Sequence, residues 1–130
     1  MRRKLIAGNW KMHGRRAANA ALVQGIRARE AECSGIDLWL AVPAVYLDQV
    51  AGLIAGSGAL GLAAQNVAAE EDGACTGEIS AGMLIDAACT AVIIGHSERR
   101  SRYGDTDTVD RKSTRLNSSH IQKSRMPSSA

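Results

Sequence analysis

Hydrophobic residues fall along this chain in short, nearly continuous runs, separated by longer stretches of mixed character. Four runs, Lys4 to Trp10, Ile36 to Val42, Leu60 to Ala64 and Thr90 to Ile94, are apolar through their middles with no strict alternation. Runs of that length bounded by Gly, Pro or polar residues predict strands covered on both faces. Between them the period changes. Over Arg15–Glu32, Ala18, Leu22 and Ile26 recur every fourth residue, which predicts a helix. Gly25 weakens that helix by about 1 kcal/mol relative to Ala without breaking it. Val45–Ala55 predicts a second helix with Val45, Val50, Leu53 and Ile54 as its apolar stripe, and Ser80–Ala88 a third, with Ser80 as N-cap. Gln65–Gly77 is a polar, glycine-bearing loop of a length uncommon unless it serves a function. The order is therefore β-α-β-α-β-loop-α-β with no hairpin signal, an α/β chain with a parallel sheet.

After Arg100 the pattern fades. Ser101–Gly104 predicts a helical turn, and Thr106 or Asp107 an N-cap. Residues 110–130 hold six Ser and only Leu116, Ile121, Met126 and Ala130 as apolar side chains, the composition of a disordered segment. The expected division is thus 1–109 as one folded unit and 110–130 as a separate tail. That division changes the meaning of the overall charge. Residues 1–109 carry eleven Lys+Arg against twelve Asp+Glu, whereas residues 110–130 carry five against one. The net +3 of the chain belongs to the tail, so a basic polyanion-binding module would rest on the tail alone, which has no aromatic residue. The apolar run behind Met1-Arg2-Arg3-Lys4 is too short for a signal peptide, and no run approaches a transmembrane length. Cys33, Cys75 and Cys89 are odd in number and share no metal spacing, so reduced thiols in the cytoplasm are expected.

Candidate chemistry gathers where the strands end, since parallel α/β sheets bind ligands beyond their carboxyl edges. The first strand presents Asn9 and Lys11, the third Gln65 and Asn66, and the fourth His96, Ser97 and Glu98. A fixed ammonium beside an imidazole suits a substrate that carries phosphate or develops an oxyanion. Each residue also has a plain reading: a solvated lysine, a satisfied core histidine, a charged first turn at Glu98-Arg99-Arg100.

Taken together, Gly8-Asn9-Trp10-Lys11-Met12, Ala64-Gln65-Asn66, Gly73 to Ser80 and Ile94-Gly95-His96-Ser97-Glu98-Arg99-Arg100 resemble the triosephosphate isomerase family in order and spacing, over about residues 3–109. The resemblance implies a (β/α)₈ TIM barrel, of which this chain carries the first four βα units, in a homodimeric, cytoplasmic, cofactor-free and metal-free enzyme. It implies interconversion of dihydroxyacetone phosphate and glyceraldehyde 3-phosphate through an enediolate, with no nucleic-acid or membrane partner. His96 matches the family's electrophile, held neutral by the helix start at Ser97, as is established for these enzymes. Lys11 matches the residue that steers the phosphorylated substrate and offsets the enediolate charge, and Asn9 a substrate-contacting position. Glu98 is expected to pair with Lys11. Thr76 and Glu78, near the tip of the long loop, are expected at a dimer interface, Glu78 opposite Arg99 of the partner subunit, with Asp105 bonding Arg99 in its own chain.

Family chains run to about 250 residues. The carboxylate base, the lid and the later phosphate loops have no counterpart here, and no Glu stands in the base's motif. The resemblance therefore implies that these 130 residues alone are inactive. It also implies open sheet edges at the first and fourth strands. Residues 110–130 match nothing in the family and resemble translated adapter or vector sequence.

Overall fold

A computed structural model describes residues 2–109 and the backbone of residues 122–125. Four strand–helix units follow one another: β1 (Lys4–Asn9), α1 (Arg16–Ala28), β2 (Ile36–Val42), α2 (Leu47–Ile54), β3 (Leu60–Ala64), α3 (Ala81–Asp86), β4 (Ala91–Ile94) and α4 (Ser97–Tyr103). A fifth strand, β5 (Gln122–Arg125), closes the series. All neighbouring strands are parallel, in the order β1-β2-β3-β4-β5. Spatial order that repeats chain order, with a helix after each of the first four strands, is the winding of a (β/α) barrel, here its first half.

Alternation along each strand sends successive side chains to opposite faces. One face, with Leu40, Val42, Leu60, Leu62, Ala64 and Val92, packs on Val23 of α1, Leu47, Val50 and Ile54 of α2, and Leu84 of α3. These aliphatic side chains form the main core. The other face is lined by Ala41, Ala63, Ala91 and Ile93, with Trp39 packed against them. It is the narrow inner wall of the barrel. An added Cβ at Gly61 would lie 2.8 Å from Trp39 Cδ1, so glycine there lets the indole lie flat across the wall. β1 has no strand on its outer side among the described residues, and Leu5 and Ile6, on opposite faces, are 45% and 52% exposed.

Strands β2 and β3 run as the apolar pattern predicts. The helices are shorter than predicted. After Ala28 the chain tightens, Arg29 N–H bonding the Ile26 carbonyl and Glu32 N–H the Arg29 carbonyl, and Glu30–Cys33 becomes a 3₁₀ turn. The second helix likewise opens with a 3₁₀ turn, Ala44–Tyr46, anchored by Tyr46 N–H on the Pro43 carbonyl. Ser80 caps α3 as predicted, its Oγ accepting the Met83 N–H at 3.2 Å. Thr106 Oγ1 accepts the Val109 N–H at 3.3 Å, which makes it the cap of the following turn.

The β4 edge differs from expectation. The backbone of β5 pairs along it from Ala91↔Gln122 to Ile94↔Arg125, so β4 is an interior strand. Strand pairing uses backbone donors and acceptors, and a polar sequence does not forbid it. The predicted disorder of 110–130 otherwise lies outside the described residues. No helix among the described residues is long and apolar enough to cross a membrane.

Candidate active site

The carboxyl ends of β1, β3 and β4 converge on one cleft of about 240 Å³, lined by Asn9, Lys11, Gln65, Ile93, His96 and Glu98 among others. Sequence reasoning named all of these except Ile93, and gave Gln65 no role.

Lys11 leaves β1 in the left-handed region, at φ 55°. For a residue with a Cβ that conformation costs roughly 1–2 kcal/mol, so its neighbours must hold it. Lys11 N–H donates to Asn9 Oδ1 at 2.9 Å, and the Lys11 carbonyl accepts from Gln65 Nε2 at 2.8 Å. The turn aims the side chain across the cleft, where Nζ donates to Glu98 Oε1 at 2.8 Å. At 38% and 43% side-chain exposure this pair is too wet to carry the fold. Its effect is to place the ammonium. The hydrogen bond from Lys11 in turn holds the Glu98 carboxyl below the usual carboxylate range, against partial desolvation and with further help from the Lys11 and Arg102 charges.

Asn9 divides its amide between two tasks. Oδ1 accepts from Lys11 N–H and, at 3.4 Å, from Gln65 Nε2. Nδ2 bonds no described residue and is the donor left for a ligand in the cleft.

His96 is the N-cap of α4 and is 7% exposed. Its Nδ1 accepts the Glu98 backbone N–H at 3.2 Å. A backbone N–H can only donate, so Nδ1 carries a lone pair and the proton of the neutral ring sits on Nε2. The Glu98 carboxylate lies farther from Nδ1, at 3.7 Å, and the lone pair rules out an ion pair there. Nε2–H meets no described residue, so it too is available to a ligand. Ser97, half-buried, opens α4 and makes no side-chain hydrogen bond among the described residues.

Arg99, in the first turn of α4, also lines the cleft, but its guanidinium is engaged within its own chain. Its guanidinium grips Asp105, Nε to Oδ2 at 3.0 Å, and lies 4.8 Å from the centre of the Tyr103 ring. Glu78 and Arg99 of the same chain line a neighbouring cavity of about 270 Å³ without forming an ion pair with each other. Thr76 and Glu78 are exposed.

Fold and site together define the first half of a parallel βα barrel, with an ammonium, an amide and a neutral imidazole facing one cleft at the strand ends. The family profile for Triosephosphate isomerase matches residues 4–123, which extends past the boundary expected at 109. The chain belongs to the triosephosphate isomerase family. It is 51% identical over 109 residues to the triosephosphate isomerase of Thiobacillus denitrificans, covering 84% of this chain and 42% of that protein. It is 52% identical over 108 residues to the one of Paracidovorax citrulli, covering 82% and 43%. For Cupriavidus necator the figures are 50% over 116 residues, covering 88% and 46%. The chain thus spans less than half the length of the curated relatives it matches.

Proposed function

We propose that the chain is the amino-terminal part of a triose-phosphate isomerase, which interconverts dihydroxyacetone phosphate and glyceraldehyde 3-phosphate through an enediolate. The observation that carries the reading is the shared cleft of Lys11 Nζ, Asn9 Nδ2 and His96 Nε2–H at the ends of β1 and β4. In that reading His96 donates from Nε2 to the substrate carbonyl oxygen and polarises it. A neutral imidazole suits the task because the proton it offers stays on nitrogen until negative charge develops on the oxygen. This use of a neutral histidine is the established one in the family. Lys11 attracts the phosphorylated substrate and offsets the enediolate charge. Asn9 binds substrate through the amide end that the fold leaves unused. Ser97 and Glu98 act behind these groups, Glu98 by fixing the ammonium.

The carbon acid's proton goes to a carboxylate base that these 130 residues do not supply, so the chain alone is inactive. In the whole protein, a cytoplasmic homodimer, Thr76 approaches Asn9 of the partner subunit and Glu78 meets Arg99 of the partner subunit. The polyanion-binding alternative is disfavoured because residues 1–109, which carry the cleft, are net −1.

The test is a fusion of residues 1–109 to the carboxyl-terminal remainder of the Thiobacillus denitrificans relative, assayed for conversion of dihydroxyacetone phosphate. Turnover by the fusion and none by the 130-residue chain is the expected result. A folded fusion without turnover, or turnover by the chain alone, refutes the proposal.

A further inference from the structure

We propose that Gln65 is the positioning residue for Lys11: its carboxamide ties the ends of β1 and β2 together and holds the lysine backbone in the turn that brings its ammonium onto Glu98, in the cleft that His96 also lines. The geometry supports this from three directions. Gln65 Nε2 lies 2.8 Å from the Lys11 carbonyl, 3.2 Å from the Ala41 carbonyl at the end of β2 and 3.4 Å from Asn9 Oδ1. An NH₂ group has two protons for these three acceptors. The shortest contact takes one proton, and the Ala41 and Asn9 oxygens share the other. Ala41 O also accepts the Trp10 N–H at 2.9 Å, so Gln65 reads the last rung of the β1–β2 ladder. Asn9 Oδ1 also accepts the Lys11 N–H, so the peptide group on each side of the Lys11 Cα is fixed, one by Asn9 and one by Gln65.

A left-handed lysine has no such reason to persist by itself. Asparagine at position 65 would be one methylene too short for the reach, and glutamate would set a carboxylate against two carbonyls. Gln65 itself needs no contact with substrate. It acts through Lys11, and what it determines is where the positive charge stands. The catalytic meaning of that charge rests on the isomerase reading above, whereas the positioning is a property of the folded chain.

The experiment therefore avoids turnover and uses NMR on the labelled 130-residue chain. In the wild type, Gln65 side-chain protons are expected to exchange at least about tenfold more slowly than those of exposed Gln24, with a through-bond coupling to the Lys11 carbonyl carbon. Gln65→Met keeps the length of the side chain and removes both donors. It is expected to move the Lys11 backbone shifts away from left-handed values and to raise the Glu98 carboxyl titration toward the ordinary range, because the ammonium is no longer held against it. Arg102, the other cation acting on Glu98, is unchanged by this substitution. A merely structural role would lower stability and leave the Glu98 titration of the folded variant in place. Gln65 protons that exchange as fast as those of Gln24 overturn the proposal. So does a folded Gln65→Met variant with unchanged Lys11 shifts and Glu98 titration. If the variant fails to fold, the wild-type exchange and coupling decide alone. An inactive fusion with protected Gln65 protons would refute the isomerase reading and leave this one standing.

Discussion

Gly14 lies three residues beyond Lys11, and Gly14→Ala tests how the loop that carries the lysine is anchored. Its φ is +135°, a value that favours glycine, and an added Cβ would lie 2.8 Å from both Asn19 Oδ1 and Tyr46 Cε2. Neither neighbour can retreat freely. Asn19 is 2% exposed, accepts the Arg15 N–H at 3.2 Å and donates to Gln49 Oε1 at 3.1 Å. Tyr46 Oη donates to the Gly14 carbonyl at 3.1 Å. Overpacking of this kind costs about 1–3 kcal/mol, a displaced buried hydrogen bond about 1 kcal/mol, and the unusual φ about 1 kcal/mol or more. The sum, roughly 3–5 kcal/mol, is a large part of the 5–15 kcal/mol typical of a domain. Urea unfolding followed by the fluorescence of Trp10 and Trp39 should show the midpoint falling by about 1 M or more. Removing the ring with Tyr46→Leu relieves one of the two close contacts, so the double variant should recover about 1 kcal/mol relative to additivity. A Gly14→Ala midpoint equal to wild type, or a strictly additive pair, would refute the reasoning.

Ala88 ends the α3–β4 turn at φ 69°, so Ala88→Gly should raise stability by about 0.5–1 kcal/mol in the same urea assay. Burial pushes the Cys89 thiol from 9.0 up to about 11. A native chain at pH 8 should therefore expose only Cys33 and Cys75 to a thiol reagent, the third reacting after denaturation. The sign for folding follows: below pH 9 both states keep the thiol protonated, and between about 9 and 11 only the unfolded chain ionises, so stability falls across that window. The Glu98 carboxyl, held low by Lys11, contributes above the unfolded carboxylate pKa and loses its contribution as pH falls through the folded one. Lys11→Met should return its titration, read by carboxyl-carbon NMR, to the ordinary range.

β2 and β3 were readable residue by residue because a continuous apolar run bounded by Gly35 and Pro43, or by Gly58 and Gln65, admits few other structures. The end of α1 and the start of α2 were less readable, since a change from i→i−4 to i→i−3 bonding at Arg29 or Tyr46 leaves the apolar spacing intact. β5 gave no signal, because its pairing with β4 runs through the backbone while its sequence, Gln-Lys-Ser-Arg, has no apolar residue. In the site, Asn9, Lys11 and His96 stood out as polar groups at strand ends. Gln65 stood there too, but its role depends on carbonyls from two other strand ends, Lys11 and Ala41, which only folding brings within reach. The His96 tautomer was likewise a matter of which atom caps α4.

The most direct measurement is the turnover of the fusion enzyme with His96→Ala. If His96 Nε2–H is the donor that stabilises the developing oxyanion, kcat should fall by roughly 10²–10³ while KM changes little, the loss expected for one preorganised donor. A kcat within threefold of the parent fusion, in a variant whose Lys11–Glu98 pair is intact, would contradict the account.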